Sequence, residues 1–248
     1  MKKIVMTALC AVFAMAAMAQ DLQLHYDFGR DVNSDELPER QRVTLTLEHF
    51  SLDNAGSWYY FVDMDFLKDG ACGAYTEISR EFNIGKKGFA AHLEYDGGLC
   101  STKTTSAGVR YQHAALLGPS FNGHNKDFST TYSVQLMYKQ YFKGQFNSSA
   151  YASFQLTGIW STTFANKALT FTGFFDFWRG VDNSNGHGKL IFASEPQLWF
   201  NLNALRGLEK FPLSIGTEVE FYNNFYTPAN GSDKTFFVNP TIGLKWKL

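Results

Sequence analysis

Residues 42–66 alternate between two kinds of side chain. Val43, Leu45 and Leu47 interleave with Thr44, Thr46 and Glu48. After Asp53-Asn54-Ala55-Gly56, Trp58, Tyr60, Val62, Met64 and Phe66 interleave with Tyr59, Phe61, Asp63 and Asp65. Successive side chains of a strand point to opposite faces, so a period of two gives each set a face of its own. One face is apolar and aromatic; the other carries carboxylates. The same texture continues to Ile242-Gly243-Leu244-Lys245-Trp246-Lys247-Leu248. It predicts about 12 strands, near 22–30, 42–52, 57–67, 74–84, 88–98, 104–115, 128–142, 149–160, 168–179, 190–203, 211–224 and 235–248. The fold class expected is all-β: a single antiparallel transmembrane β-barrel, with lipid outside and water inside. An even strand count puts both termini on one side, the periplasmic one. Residues 182–188 and 228–232 are Gly/Asn turn chemistry between strands. One connection fits badly: residues 116–127 would form a long periplasmic turn, which a ten-strand count or a segment folded into the lumen would resolve.

The ends of the chain explain how such a barrel reaches its membrane. Lys2 and Lys3, the apolar stretch Ile4–Ala16 and Ala17-Met18-Ala19 read as a secretory signal over residues 1–19, cleaved to leave a barrel of residues 20–248. This predicts an outer-membrane location. The alternating C-terminal strand is similar to the signal read by the barrel insertion machinery, which is an expected partner together with outer-membrane lipid.

Composition sharpens this picture. No apolar run beyond the signal is long enough for a membrane helix. Aromatics make up 17% of the residues, with 24 Phe and 12 Tyr, and suit interfacial girdles and a lipid face. Formal net charge is −1 and the lysines are scattered, so nothing points to nucleic acid.

Alternation then assigns faces. Leu45, Leu47, Val62, Leu93, Leu136, Phe154, Phe175, Leu198 and Leu244 are expected toward lipid. Glu48, Asp63, Asp65, Glu77, Glu81, His92, Glu94, Asp96, Lys139, Asp176, Glu195, Trp199, Glu218, Glu220, Lys245 and Lys247 are expected toward the lumen. A Lys or Arg facing lipid near mid-bilayer costs about 2–4 kcal/mol, which drives the charges inward. The lumen is therefore mainly acidic, as in a passage for cations or neutral polar solutes. Inward Tyr59, Phe61, Phe174, Trp178 and Trp199 offer faces for stacking a flat ring. Two other functions share this pattern: a barrel enzyme acting on lipid or lipopolysaccharide, and a closed structural barrel. The 6 histidines are dispersed, which gives no metal signature, and no cofactor is implied. Ser184-Asn185-Gly186-His187 is faintly similar to the serine motif of outer-membrane phospholipases but lacks a preceding His. No catalytic residue is assigned. Cys72 and Cys100 are the two cysteines beyond the signal. They are placed in neighbouring outer connections, where a disulfide is expected.

The segments Thr46-Leu47-Glu48-His49-Phe50, Trp58-Tyr59-Tyr60-Phe61-Val62-Asp63-Met64-Asp65 and Tyr75-Thr76-Glu77-Ile78 resemble the nucleoside-specific channel-forming porins of the outer membrane, the Tsx-like family. Glu195-Pro196-Gln197-Leu198 and Gly243-Leu244-Lys245-Trp246 are similar in placement. The chain also resembles an uncharacterised family of outer-membrane barrel domains. The first resemblance implies a monomeric twelve-strand barrel with a narrow pore for nucleosides. By position, Glu48, Phe50, Phe61, Asp63 and Asp65 would line its path. Tyr59-Tyr60-Phe61 replaces a more Gly-containing family stretch, which would narrow the pore. The substrate path expected overall comprises Glu48, Phe50, Phe61, Asp63, Asp65, Glu77 and Trp199, and the solutes are small and hydrophilic, with nucleosides among them.

Overall fold

The computed structural model describes residues 21–102, 105–144, 149–181 and 188–248, with side chains described outside 101–110. The signal segment 1–19 and the Ser184–His187 motif lie outside the described residues. The strands are β1 (Asp21–Asp27), β2 (Val43–Leu52), β3 (Gly56–Leu67), β4 (Gly70–Asn83), β5 (Phe89–Thr102), β6 (Thr105–Arg110), β7 (Ala114–His124), β8 (Thr130–Tyr141), β9 (Tyr151–Phe164), β10 (Leu169–Val181), β11 (Gly188–Ser194), β12 (Gln197–Asn201), β13 (Leu213–Asn223) and β14 (Phe236–Lys247). A short helix, α1 (Gly29–Val32), follows β1. All pairings are antiparallel. The last strand closes on the first, from Asp21 opposite Lys247 to Asp27 opposite Thr241.

These segments make twelve staves, because two staves are interrupted. β6 and β7 both lie against β5, and Tyr111–His113 joins them. β11 and β12 both lie between β10 and β13, with Glu195-Pro196 between them. Proline lacks the N–H that a ladder needs, so Pro196 breaks the pairing without moving the register. The same chemistry corrects the expectation for residues 116–127. They are not a long turn, and neither a ten-strand count nor a lumenal segment is needed. β7 continues through Leu116, Gly118, Ser120 and Asn122 to His124, and the turn is the short stretch 125–129. Gly118-Pro119 reads as a turn in sequence, yet Pro119 pairs with Ala91 on β5 and only leaves a gap in the ladder to β8.

Both faces follow the alternation. Leu93, Leu117, Val134, Leu136, Phe154, Leu198, Ile215 and Leu244 stand exposed on the outer wall, as a lipid-facing belt requires. Leu47 lies on that wall too, between Leu22 and Val62, and those neighbours cover it. The interior is polar: Gln23, His25, Asp27, His92, Asp96, Gln135, Lys139, Gln155, Glu218 and Asn239 are buried there. Its one described apolar cluster is small, with Ala114, Leu116 and Met137 beside Tyr141. Short turns join β2 to β3, β4 to β5, β7 to β8 and β9 to β10 at the rim that carries the termini, where the longer connection 202–212 also lies. The segment 28–42 stands at the opposite rim and folds inward. Gly29 is needed there, because a Cβ would come within 2.5 Å of the Asn239 side chain.

Candidate functional site

The predicted path residues gather on the inner wall of β2–β5. Register sets Glu48 opposite Phe61, Phe61 opposite Glu77 and Glu77 opposite Asp96, a single row across four strands. Asp63 and Asp65 follow Phe61 by two and four residues, on the same face. Thr46 donates its hydroxyl to Asp63, and Thr44 to Asp65 at 2.8 Å. Gln23 donates to Glu48 at 2.8 Å, and the Tyr75 hydroxyl to Glu77 at 2.9 Å. Phe50 pairs with Tyr59 and is exposed near the rim with the termini.

Beside the acidic row runs a file of rings. Tyr59 to Phe61 and Phe61 to Tyr75 are each 6.0 Å between ring centres, and Tyr75 to Tyr111 is 5.6 Å. Alternation places Tyr59 and Phe61 inward but does not by itself assign Tyr75 and Tyr111 to this file. Strict alternation from Phe61 through the register to Tyr75 would have found the first. Tyr111 sits in the irregular joint between β6 and β7, where alternation gives no signal.

Trp199 departs from its expected role. It faces inward but is 0% exposed. Its Nε1 donates to Gln197 Oε1 at 2.9 Å, Lys245 Nζ lies 4.4 Å from its ring centre, and the His25 ring meets it edge-on at 5.6 Å. A tryptophan so covered offers no face to a solute; it braces the wall where β12, β13, β14 and β1 meet. Gln197 in turn donates to Glu218 at 2.6 Å.

The cysteines also depart from expectation. Cys72 and Cys100 are free thiols. They lie within strands β4 and β5, not in the connections. Cys72 is the extra residue of a bulge, since Asp65 faces Gly73 and Phe66 faces Ala71. Its Sγ donates to the Asp65 carbonyl at 3.4 Å. Cys100 lies opposite Gly73, one residue out of step with Cys72.

Toward the rim opposite the termini, Arg40 reaches from segment 28–42 into the lumen. Its Nε and Nη2 donate to Asp27 Oδ2 at 2.9 and 2.6 Å, and further bonds reach Glu220 and the Tyr226 hydroxyl. Its side chain is 3% exposed. Burial opposes its charge, but Glu220, Tyr226 and Asp27 more than offset this and move its pKa up. Arg40 also lies within electrostatic reach of Asp65 and Glu195. Asn33 of the same segment donates to Asn239 Oδ1 at 3.0 Å, and Lys234 donates to Asn33 at 2.8 Å and to Glu36 at 3.2 Å. Segments 28–42 and 224–235 are thereby tied together at this mouth. Loop residues carry no strand period, so none of these contacts was visible in the sequence.

Lys139 forms a further buried ion pair, 2.8 Å from Asp96 Oδ2, and donates to Gln155 at 2.7 Å. His92 stands 3.0 Å from Glu94 and 3.4 Å from Glu81. Among the described residues no group of His, Cys, Asp and Glu side chains has the arrangement of a metal site. The arrangement suits weak, multidentate contacts to a polar solute, with acceptors along one wall and aromatic faces next to them.

Comparison with known proteins bears on the fold. The chain matches the structure of the NanC porin at a TM-score of 0.57 and 10% identity, covering 92% of this chain and 99% of that one. The KdgM porin matches at 0.46 and 11%, covering 92% and 98%. LpxR from Salmonella typhimurium matches at 0.43 and 8%, covering 92% and 100%. A search of curated protein sequences gives no significant match. A family model does match, over residues 19–248: the chain belongs to DUF5020, a family described as a domain of unknown function.

Proposed function

We propose that this protein is an outer-membrane channel through which small hydrophilic solutes diffuse passively, with cations and neutral solutes favoured over anions. The observation that carries this reading is the polarity of the closed barrel: exposed apolar side chains outside, and carboxylates with a file of aromatic rings inside. A soluble β-sandwich or lipocalin-like carrier would need the reverse. The fold shared with the NanC porin is consistent with a channel. Nucleosides are the finer candidate, because a flat base can slide along Tyr59, Phe61, Tyr75 and Tyr111 while its sugar hydroxyls donate to Glu48, Asp63 and Asp65. In this reading both termini lie on the periplasmic side, with segment 28–42 at the outer mouth. The reading assigns the chain no catalytic step.

The test is conductance of the refolded protein in a planar bilayer under a salt gradient. The expected reversal potential has the sign of a cation-preferring pore, and the Asp63→Asn/Asp65→Asn double variant moves it toward zero. Added adenosine is expected to lower the current of a nucleoside path. A reversal potential unmoved by the double variant would remove these two residues from the permeation path, and absence of any current would favour the closed structural barrel.

A further inference from the structure

Carboxylates of β4, β5 and β10 face one another in the lumen. Glu77 and Asp96 oppose each other directly across the β4–β5 ladder. Glu94 lies two residues before Asp96 on the same face, within hydrogen-bond range of its carboxyl. Asp176, on β10, lies within electrostatic reach of both Glu77 and Glu94. Like charges directly opposed on a sheet destabilise it. The contacting cations among the described residues are Lys139 and His92. His92 is shared with Glu81, so among the described residues five carboxylates face two cationic side chains.

The hydrogen bonding is incomplete as well. The Asp96 side chain is 5% exposed, and while its Oδ2 meets Lys139, its Oδ1 is buried with no donor. Buried carboxylate oxygens normally have donors. The Tyr75 hydroxyl supplies one oxygen of Glu77. Among the described residues no N–H donor reaches that Asp96 oxygen. An alkylammonium supplies positive charge and three such donors on one nitrogen. A bare metal ion fits less well, since these side chains do not converge in ligand geometry. The neighbouring rings of Phe61 and Tyr75, 6.0 Å apart, suit the carbon chain and the cation of such a molecule.

We infer that the lumenal group of Glu77, Glu94, Asp96 and Asp176 is a binding subsite for the ammonium group of small organic amines. The inference rests on the channel reading for how an amine arrives, but binding at this group does not require conduction. Two measurements therefore separate the two ideas. Spermidine is titrated calorimetrically into the refolded full chain in detergent, and the same compound is added during bilayer recording. Saturable binding is expected for the natural sequence, weakened about tenfold or more in the Glu77→Gln/Asp176→Asn variant by loss of two charged partners. Heat-modifiable gel migration verifies that the variant is folded. If the double variant does not fold, Glu77→Gln alone serves, because the amide keeps the size of the side chain. In the bilayer, spermidine is expected to block the natural channel at lower concentration than the variant. No saturable binding, or equal binding by a folded variant, overturns the subsite while leaving the channel intact. Saturable binding that the variant loses, in a protein that carries no current, supports the subsite and overturns the channel.

Discussion

Arg80 stands on the outer face of β4, where a guanidinium at mid-bilayer would cost about 2–4 kcal/mol. It escapes that cost at the edge of the belt. Its Nη2 lies 2.9 Å from Asp53 Oδ1 in the β2–β3 turn, and its guanidinium carbon lies 5.0 Å from the Trp58 ring centre and 4.9 Å from that of Phe82. Arg80→Ala is expected to lower the temperature at which the refolded barrel loses its compact gel migration, because it removes two ring contacts at once. The Asp53 carboxyl is held below the usual carboxylate range, first by the Arg80 bond and then by the Ala55 N–H. A folded pKa below the unfolded value of about 3.9 stabilises above that value and is lost as pH falls through the folded one. The stability gap between the natural sequence and Asp53→Asn in urea unfolding should therefore shrink between pH 7 and about pH 3. A second residue-scale expectation concerns Gly98. A Cβ there would meet the Tyr111 ring at 2.6 Å and the Ala74 carbonyl at 2.3 Å. Gly98→Val should push Tyr111 into the lumen and lower single-channel conductance. Alternation alone read the inward face at Glu48, Phe61 and Asp63 correctly. It had no means of showing that Trp199, equally inward, would be sealed by Lys245 and His25, since burial depends on strands far apart in sequence.

At the scale of elements, strand periods were legible wherever the ladder is regular, and they failed at Gly and Pro. Gly118-Pro119 carries the composition of a turn, yet Pro119 faces outward in β7 and the strand tolerates it by losing ladder bonds locally. Glu195-Pro196 does the same between β11 and β12 without shifting either neighbour. The cysteines show how far one residue of register matters. Cys72 and Cys100 come to adjacent strands, which makes them neighbours as expected, but the unbroken β4–β5 register puts Gly73, not Cys72, opposite Cys100. A disulfide needs Cα atoms about 4.4–6.8 Å apart with Cβ vectors converging. The out-of-step placement and the bond from the Cys72 thiol to the Asp65 carbonyl both favour two free thiols. Protein unfolded without reductant is expected to take up two maleimide labels per chain. Uptake of none would mean that the end of the β4–β5 ladder shifts to admit the bridge.

On the scale of the whole molecule, the barrel holds a strongly acidic interior together by importing a cation from a loop. Asp27, Asp65, Glu195 and Glu220 come from β1, β3, the β11–β12 joint and β13, and Arg40 lies within bonding or electrostatic reach of all four. Opposed carboxylates on closed staves cannot move apart, so a buried guanidinium with several donors is an economical counter-charge. The same contact fixes segment 28–42 inside the mouth, seconded by the Asn33–Asn239 and Lys234–Glu36 contacts. Removing one partner of a buried pair leaves the others charged and unpaired, at a cost of about 3–5 kcal/mol. Arg40→Ala is therefore expected to free the loop before it unfolds the barrel, because the twelve staves keep their ladders. Limited proteolysis of the refolded variant should cut within residues 28–42 faster than in the natural sequence, while the core still migrates as a compact barrel. The same variant should prefer cations more strongly in reversal-potential measurements, since one positive charge has left an acidic lumen. Unchanged protease resistance would show that Asn33 and Lys234 hold the loop without Arg40, and would move the control of the mouth from the buried guanidinium to those two side chains.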